Sequence, residues 1–552
     1  MSTTPVLERT IAAVLDKQVA ALPDKIAILE AAGGAGVTYA QLQERAFRLS
    51  AGLAGMGVAR QEPVLVMLDN HIDMVVTWAG IGVGAMIEVP VNTAYKGEML
   101  RYVMDHSGAT LAIVEAGYCD RIAEILDGVP ELRTIIVRGE GGSGGAGGTL
   151  PDRIERRDFA ELNVAEPVRP DPPHVSDIST IIYTSGTEGP SKGVLCPHGH
   201  AFQTSASYTY QTYESDIVLV MLPLFHAGGL FAGIYNSLRG GATAVIQPAF
   251  TASGFWDEVR RFGCTQALLM GAMIDFLWRR PPEPDDADNP LRNVTVVPAM
   301  PYINEFARRF DMNVTSSYGQ SETGTITLTD PGEARPFLCG RPRSFIEMKI
   351  VDEDDVEVPR GVVGEFAVRS NEPWSMFRGY HRNPEATVHA WRNNWMHTGD
   401  AGYQEENGRF VFVDRKRDAL RRRGENVSSM EVERYLLARD DIAAAAIIAV
   451  PSEHLEDDIK AVLILADGAR FEPEDILRDM VDKLPYFMVP RYYEAVEHFP
   501  MTQTHKVQKV ALRKVGITES TWDCEAAGLI VTRSGLREKA QCEMAREGAP
   551  TT

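Results

Sequence analysis

The sequence predicts an α/β protein, with a large N-terminal domain of helices layered on mostly parallel sheets and a small α+β domain after it. Three observations carry this. The chain has 552 residues, and a single hydrophobic core stops growing at roughly 250 to 300, so at least two domains are needed. Short apolar runs alternate with amphipathic stretches from Thr38 to about Pro500, which is the pattern of βα units. At DRKRDALRRRG, residues 414–424, strand-like RFVFV gives way to a charged, glycine-containing segment that opens a new unit. The expected division is therefore 1–416, 417–515 and a C-terminal extension of 516–552.

Each element has its own signal. PVLVML at 63–68, TIIYTS at 180–185, IVLVML at 217–222 and AVIQPAF at 244–250 are bounded apolar runs of strand length. YAQLQERAFRLSAGLAGMG at 39–57 has the spacing of an amphipathic helix. MVVTWAGIGVGAMIEVPV at 74–91 falls short of the ~20 uninterrupted apolar residues of a membrane span. It is broken by glycines and carries Glu88, so it reads as buried helix and strand. The glycine-rich run at 139–148 has βα pattern on both sides and reads as a mobile surface loop rather than a boundary. In the small unit, SSMEVERYLLA and EPEDILRDMVDKL predict helices and AAAIIAV and AVLIL predict strands. Beyond Lys514 the polarity is mixed and no period emerges; a loosely packed tail and an interface helix both fit.

Composition narrows the partners. Hydrophobic residues at 44% and charged residues at 24% are those of an ordinary globular protein. A formal charge of −21 repels nucleic acid and anionic membranes at long range, leaving local basic pockets for small phosphate ligands. The six cysteines, Cys119, Cys196, Cys264, Cys339, Cys524 and Cys542, have neither metal-ligand spacing nor a disulfide framework. The N-terminus lacks a basic stretch followed by an apolar core, so no secretory signal is read and the cytoplasm is the expected compartment.

Chemistry concentrates in three segments. YTSGTEGPSKGV, Tyr183 to Val194, follows Ile181 and Ile182 and gathers glycines, hydroxyls and one lysine. Gly186, Gly189 and Gly193 let backbone approach a phosphate, Thr184, Ser185, Thr187 and Ser191 supply donors, and Lys192 supplies charge. Lys192 precedes Gly193, so the Gly-Lys-Ser/Thr order of a P-loop is not met. A glycine- and serine-rich surface turn would need neither the preceding strand nor the lysine. In SSYGQSETG, 316–324, Tyr318 beside Gly319 can stack on a purine and Ser321 can reach a phosphate. Glu322, with Thr184, can hold a magnesium ion. In WMHTGDAG, 395–402, Asp400 follows a glycine at what reads as a strand end and can accept from two ribose hydroxyls; Arg415 adds a cation beside them. A tight turn and a surface salt bridge are the bland alternatives for these two.

In this order the segments resemble the adenylate-forming superfamily of acyl-CoA synthetases, peptide-synthetase adenylation domains and luciferases, over roughly Asp24 to Lys514. The resemblance implies ATP, Mg2+ and coenzyme A, with a small-molecule carboxylic acid as substrate of fatty-acid or organic-acid metabolism. It makes YTSGTEGPSKG the phosphate loop, YGQSETG the adenine and magnesium segment, and HTGD the ribose segment. It also makes Asp418 the hinge and Lys506, in THKVQK, the lysine that meets the reacting carboxylate. RRRGENVSSMEVE at 421–433 is similar to CoA ligases, closest to crotonobetaine/carnitine-CoA ligases. This implies that the small domain turns after adenylation and presents Gly424, Glu425 and Asn426 to the pantetheine thiol. Arg421 to Arg423 either meet CoA phosphates or form a solvated face.

The implied acyl pocket draws on PLFHAGGL at 223–230, ALLMGAM at 267–273 and residues 298–301. His226 borders the acyl and thiol channels, Gly228 and Gly229 give space, and Met270, Met273, Ala299 and Met300 give an adaptable lining. Two positions depart from the family: VVPAMPY at 296–302 replaces Gly-Gly-Ala-Pro, and His505 stands where a glycine precedes the lysine. An enzyme loading a carrier-protein thiol and a lapsed nucleotide-binding protein are the competing readings. No carrier domain follows the small one, and Lys192, Glu322, Asp400 and Lys506 are intact. A homodimer is compatible with the sequence and not fixed by it.

Overall fold

The helix Tyr39–Gly55 begins where Thr38 caps it: the Thr38 hydroxyl accepts from the Gln41 N–H, and the Gln41 side chain accepts from the Thr38 N–H. This reciprocal cap belongs to a computed structural model that describes residues 4–139, 150–163, 166–184, 191–206, 211–300, 302–415, 419–423, 425–452, 456–500, 507 and 509–538. The chain forms two compact units, the first from 1–93, 101–184 and 192–416, the second holding 417–552. The most apolar stretch divides as its glycines suggest. Ile72–Val83 is a helix buried at every residue but Asp73, and Ile87–Pro90 is a fully buried strand. No helix among the described residues is long and apolar enough to cross a membrane.

The first unit carries two sheets. Among the described residues one has seven strands, in the order Glu155–Asp158, Thr134–Arg138, Leu111–Glu115, Pro63–Met67, Ile87–Pro90, Ile178–Thr184 and Lys192–Pro197. All neighbours are parallel except the last pair, where Tyr183 faces Gly193 and Thr184 faces Lys192. Residues 185–190, the centre of the phosphate loop, lie outside the described residues, but the strand ends that bracket them are fixed. The glycine-rich run is likewise outside from 140 to 149, and the strands before and after it pair in this one sheet.

The second sheet has thirteen strands among the described residues. Its parallel part comprises Ile26–Glu30, Thr243–Ile246, Ile217–Val220, Gln266–Met270, Asn293–Val297 and Asn313–Gln320. Parallel strands end at a common edge, so Leu222–Gly229, Gly271–Met273, Pro298–Met300 and Ser321–Thr323 follow their strands on one side. A core of Leu219, Leu269, Val296, Trp256, Phe306 and Phe310 backs these strands, with Trp256 stacked on Phe310 at 4.4 Å. The remaining strands are antiparallel and include the pair Met396–Gln404 and Phe410–Arg415.

The second unit contains a four-stranded sheet of Ile442–Pro451, Asp457–Leu465, Tyr492–Ala495 and Trp522–Asp523. It also holds the helices Ser429–Leu437 and Pro473–Lys483 and a hairpin of Ala419–Arg422 with Glu425–Ser428. The segment after Lys514 corrects both sequence expectations, since its described part is neither a loose tail nor an interface helix. Trp522–Asp523 is the outer strand of the sheet, and Leu529–Thr532 pairs with Gly535–Glu538 in a two-stranded ribbon. The expected break at 515/516 therefore cuts through one packed structure. Glu494, at the junction, would be raised by burial, but the Lys460 ammonium and the hydroxyls of Ser520 and Thr518 pull it down to about 2.

Glu88 is a fully buried carboxyl. It sits opposite Thr180 between two buried strands, and burial pushes its carboxyl up to about 8, against a small opposing effect of the Thr180 hydroxyl. The folded chain thus holds a proton that the unfolded chain, titrating near 4.5, has released. Stability is lost as pH rises between those two values, by about 3 kcal/mol at pH 7. Glu88→Gln is expected to flatten this slope: thermal unfolding from pH 5 to pH 8 should fall less in the variant than in the parent. Parallel curves would show that Glu88 is ionised in the folded state.

Candidate active site

Lys192 and Glu322 are far apart in sequence and are joined by a residue the sequence did not single out, Tyr380. The Lys192 Nζ lies 5.0 Å from the Tyr380 ring centroid, and the Tyr380 hydroxyl donates to Glu322 Oε1 at 2.9 Å. Burial first, and then the Glu322 charge, push the Tyr380 hydroxyl far up, so it remains a donor. The backbone closes the same circuit. His381 N donates to Gly193 O at 2.7 Å, Leu195 N to Gly379 O at 3.0 Å, and Phe377 N to Glu322 O at 2.9 Å. Residues 377–381 thereby stitch the strand after the phosphate loop to the Glu322 turn. Thr184 is half-buried at the other strand end, its hydroxyl directed to the Lys192 carbonyl at 3.5 Å.

Asp400 is buried, and its Oδ2 accepts from the Tyr318 hydroxyl at 2.7 Å and from Gln320 Nε2 at 2.8 Å. Gln320 Nε2 also donates to the Thr398 carbonyl at 2.9 Å, which locks the Tyr318 hairpin to the Asp400 strand. One expectation changes here. Asp400 is mid-strand in Met396–Gln404 rather than at a strand end, because Gly399, with φ +73°, bends the chain without ending its pairing. Tyr318 packs its ring edge-on to Phe366 at 5.3 Å and donates its hydroxyl to Asp400. Arg415 pairs with Asp400 in register; its side chain lies outside the described residues.

Glu365, also missed in the sequence, fixes the turn before Asp400. Its Oε1 accepts from the Gly399 N–H at 2.9 Å and its Oε2 pairs with Arg392 at 3.0 Å. His397 completes the cluster, 3.5 Å from Glu365 and 3.5 Å from Asp355. Such residues lack a motif signal because a buried glutamate and a tyrosine gain meaning only from long-range partners.

At the sheet edge, Asn70 holds the loop that leads to His226. Its Nδ2 donates to the Leu222 and Gln247 carbonyls at 3.0 and 3.2 Å, and its Oδ1 accepts from Leu224 N at 2.9 Å. His226 is half-buried, with its ring 4.7 Å from that of Phe225. Gly228 faces Leu222 and Leu268, but Gly229 is not open space: a side chain there would collide with the Pro223 carbonyl, so its role is close backbone packing. Met300 and Ala299 are buried after the strand Asn293–Val297, Met270 and Met273 are partly buried beside them, and the Val297–Pro298 peptide is cis. Gly319 is required by the tight Tyr318 hairpin, where a side chain would meet the Gly324 carbonyl. Ser321 is half-buried in the turn between the two strands.

Ser185, Gly186, Thr187, Gly189, Asp418, Gly424 and Lys506 lie outside the described residues. Glu425 and Asn426 begin the second strand of the Ala419–Ser428 hairpin in the second unit, facing Arg422 and Arg421; the Asn426 side chain is not described. Among the described residues no group of three or more His, Cys, Asp and Glu side chains could hold a metal by itself.

The comparisons with known proteins bear on this arrangement. Residues 15–381 match the model of the AMP-binding enzyme family, and residues 431–506 match that of the AMP-binding enzyme C-terminal domain. The chain belongs to the AMP-binding enzyme family. A crotonobetaine/carnitine–CoA ligase of Proteus mirabilis is 29% identical over 492 residues, covering 86% of this chain and 93% of that protein. One of Salmonella typhimurium is 28% identical over 489 residues, with the same two coverages. Among solved structures, an o-succinylbenzoate CoA synthetase from Bacillus subtilis superposes with a TM-score of 0.78 at 22% identity, over 91% of this chain and 98% of that one. An amide bond synthetase from Marinactinospora thermotolerans gives 0.77 at 24%, over 92% and 99%. The two structures establish the shared fold, which here serves an AMP-binding enzyme.

Proposed function

We propose that this AMP-binding enzyme is an ATP-dependent carboxylate–CoA ligase, converting an acid, ATP and CoA into acyl-CoA, AMP and pyrophosphate through an acyl-adenylate. The observation that carries it is the Lys192–Tyr380–Glu322 and Asp400–Tyr318–Gln320 network along one edge of the sheets. That network suits a nucleotide whose phosphates lie at Lys192 and whose ribose lies at Asp400. Glu322 and Thr184 are hard oxygen donors. Magnesium keeps waters and substrate phosphates in its shell, so one carboxylate and one hydroxyl suffice. The ion would neutralise polyphosphate charge there.

In the first half-reaction the acid's carboxylate oxygen bonds the α-phosphorus and pyrophosphate leaves. Lys192 holds phosphate charge, Asp400 accepts from the ribose, and Lys506 offsets the negative charge gathered at the reacting centre. In the second, the CoA sulfur bonds the acyl carbon and AMP leaves with the electron pair of the broken C–O bond, with Gly424, Glu425 and Asn426 lining the thiol's approach. His226, Met270, Ala299 and Met300 border the acyl group. A protein that consumes ATP and CoA fits the cytoplasm.

The neighbouring folds include a CoA synthetase and an amide bond synthetase, so the acceptor is the claim to test. Incubation with ATP and a panel of short-chain, aromatic, zwitterionic and steroid-like acids is expected to give acid-dependent pyrophosphate exchange without CoA. Adding CoA is expected to release AMP and form a thioester. Exchange that persists while CoA leaves AMP release unchanged would assign the adenylate to another acceptor.

A further inference from the structure

We propose that residues 516–538 form a brace that holds Arg422 and Arg423, at the end of the strand Ala419–Arg422, for the thioester half-reaction; this rests on the ligase reading above. Two lines of contact run from the extension to these arginines. The first passes through ion pairs. The Arg491 guanidinium binds Asp523 at 3.0 and 2.9 Å and Asp458 at 3.2 Å, and Asp458 in turn pairs with Arg422 at 2.9 Å. The second is direct. Arg423 Nη1 donates to the Val531 carbonyl of the ribbon at 2.9 Å, and its guanidinium lies 5.4 Å from the Tyr486 ring. Arg533, also of the ribbon, lies 5.6 Å from that same ring and donates to the Tyr486 hydroxyl at 3.2 Å.

The backbone gives a reason for such bracing. Arg423 has φ +54°, a left-handed conformation uncommon for a residue with a side chain. The ribbon carbonyl and the Tyr486 ring hold its side chain. The extension is itself firmly seated. Glu494 accepts from the hydroxyls of Thr518, Ser520 and Thr521 at 2.7, 2.6 and 3.1 Å, and Lys460 donates to the Gly516 carbonyl at 2.6 Å. Rigid support for a short segment matters where a thiol must reach an acyl carbon along one line, since a shift of about 1 Å costs up to a hundredfold in rate.

The test separates the half-reactions. A chain ending at Gly528 loses the ribbon but keeps Thr518–Asp523 and the Glu494 and Arg491 contacts; a chain ending at Glu538 controls for the last residues. In the first, acid-dependent pyrophosphate exchange without CoA is expected to stay at the parent rate. Single-turnover conversion of preformed acyl-adenylate by CoA is expected to fall about tenfold or more. Full-length Arg533→Ala should show the same split, smaller in size. Thioester formation at the parent rate in the shortened chain would overturn the proposal. So would an equal fall of both half-reactions while Arg533→Ala changes neither, which would make the ribbon a folding element only. A parent chain that exchanges no pyrophosphate with any acid fails earlier and overturns the ligase reading itself.

Discussion

With Lys506 replaced by alanine, acid-dependent pyrophosphate exchange is expected to fall by about 10²- to 10³-fold, the usual loss when one preorganised charge is removed from a reacting centre. AMP binding should survive, because the proposed ribose and phosphate contacts belong to other residues, Asp400 and Lys192. Lys506 itself lies outside the described residues, but its surroundings in sequence favour it over its neighbours. The helix Lys509–Val515 follows at once, and Lys509 is committed to structure: its Nζ lies 2.6 Å from Glu433 and donates to Ser429 at 2.8 Å. The anchored helix places Lys506 on the chain just ahead of a fixed point. Lys509→Ala is therefore expected to lower the stability of the small unit while leaving the rate per folded molecule intact. Thioester formation from preformed adenylate should be spared in Lys506→Ala, since the negative charge gathered when two anions meet belongs to the first half-reaction. A variant that adenylates at the parent rate would move the charge to another residue.

The strands were legible because their signals are local. Ile178–Thr184 is a buried apolar run that ends in a hydroxyl, and Lys192 opens the strand that pairs with it. The Thr38 cap and the glycine-broken stretch at 74–91 were likewise readable within one or two turns of chain. The misread positions share another cause. Gly399 looks like a strand terminator, yet its left-handed backbone is absorbed as an irregularity while the strand continues to Gln404. Trp522–Asp523 is too short to show a period, and it is a strand only because Tyr492–Ala495 offers an open edge. Tyr380, Glu365 and Asn70 carry no pattern at all, and each acts by bonding to backbone or side chains distant in sequence.

Asp400→Asn tests the proposed ribose end of the site, and its expected effect is a loss of nucleotide affinity of about 1–3 kcal/mol, or about 5- to 150-fold. The substitution keeps the shape and removes the charge. Tyr318 and Gln320 both donate to Oδ2, and burial, then the Asp400 charge, hold the Tyr318 hydroxyl far up as a donor. An asparagine oxygen at Oδ2 still accepts both bonds but more weakly, and its amide nitrogen then stands at Oδ1, a donor where ribose hydroxyls also donate. An asparagine turned the other way keeps an acceptor for the ribose but sets N–H against both struts. Either orientation leaves buried donors facing each other, so the loss does not depend on how the amide settles. Tyr318→Phe alone removes one strut and should cost less, about 1 kcal/mol. In the double variant the two losses should not add, because both act on one bonded group. Calorimetric binding of AMP to the four proteins measures this coupling. Strict additivity would mean that Tyr318 and Asp400 contribute separately, and an unchanged affinity in Asp400→Asn would remove Asp400 from the ribose site.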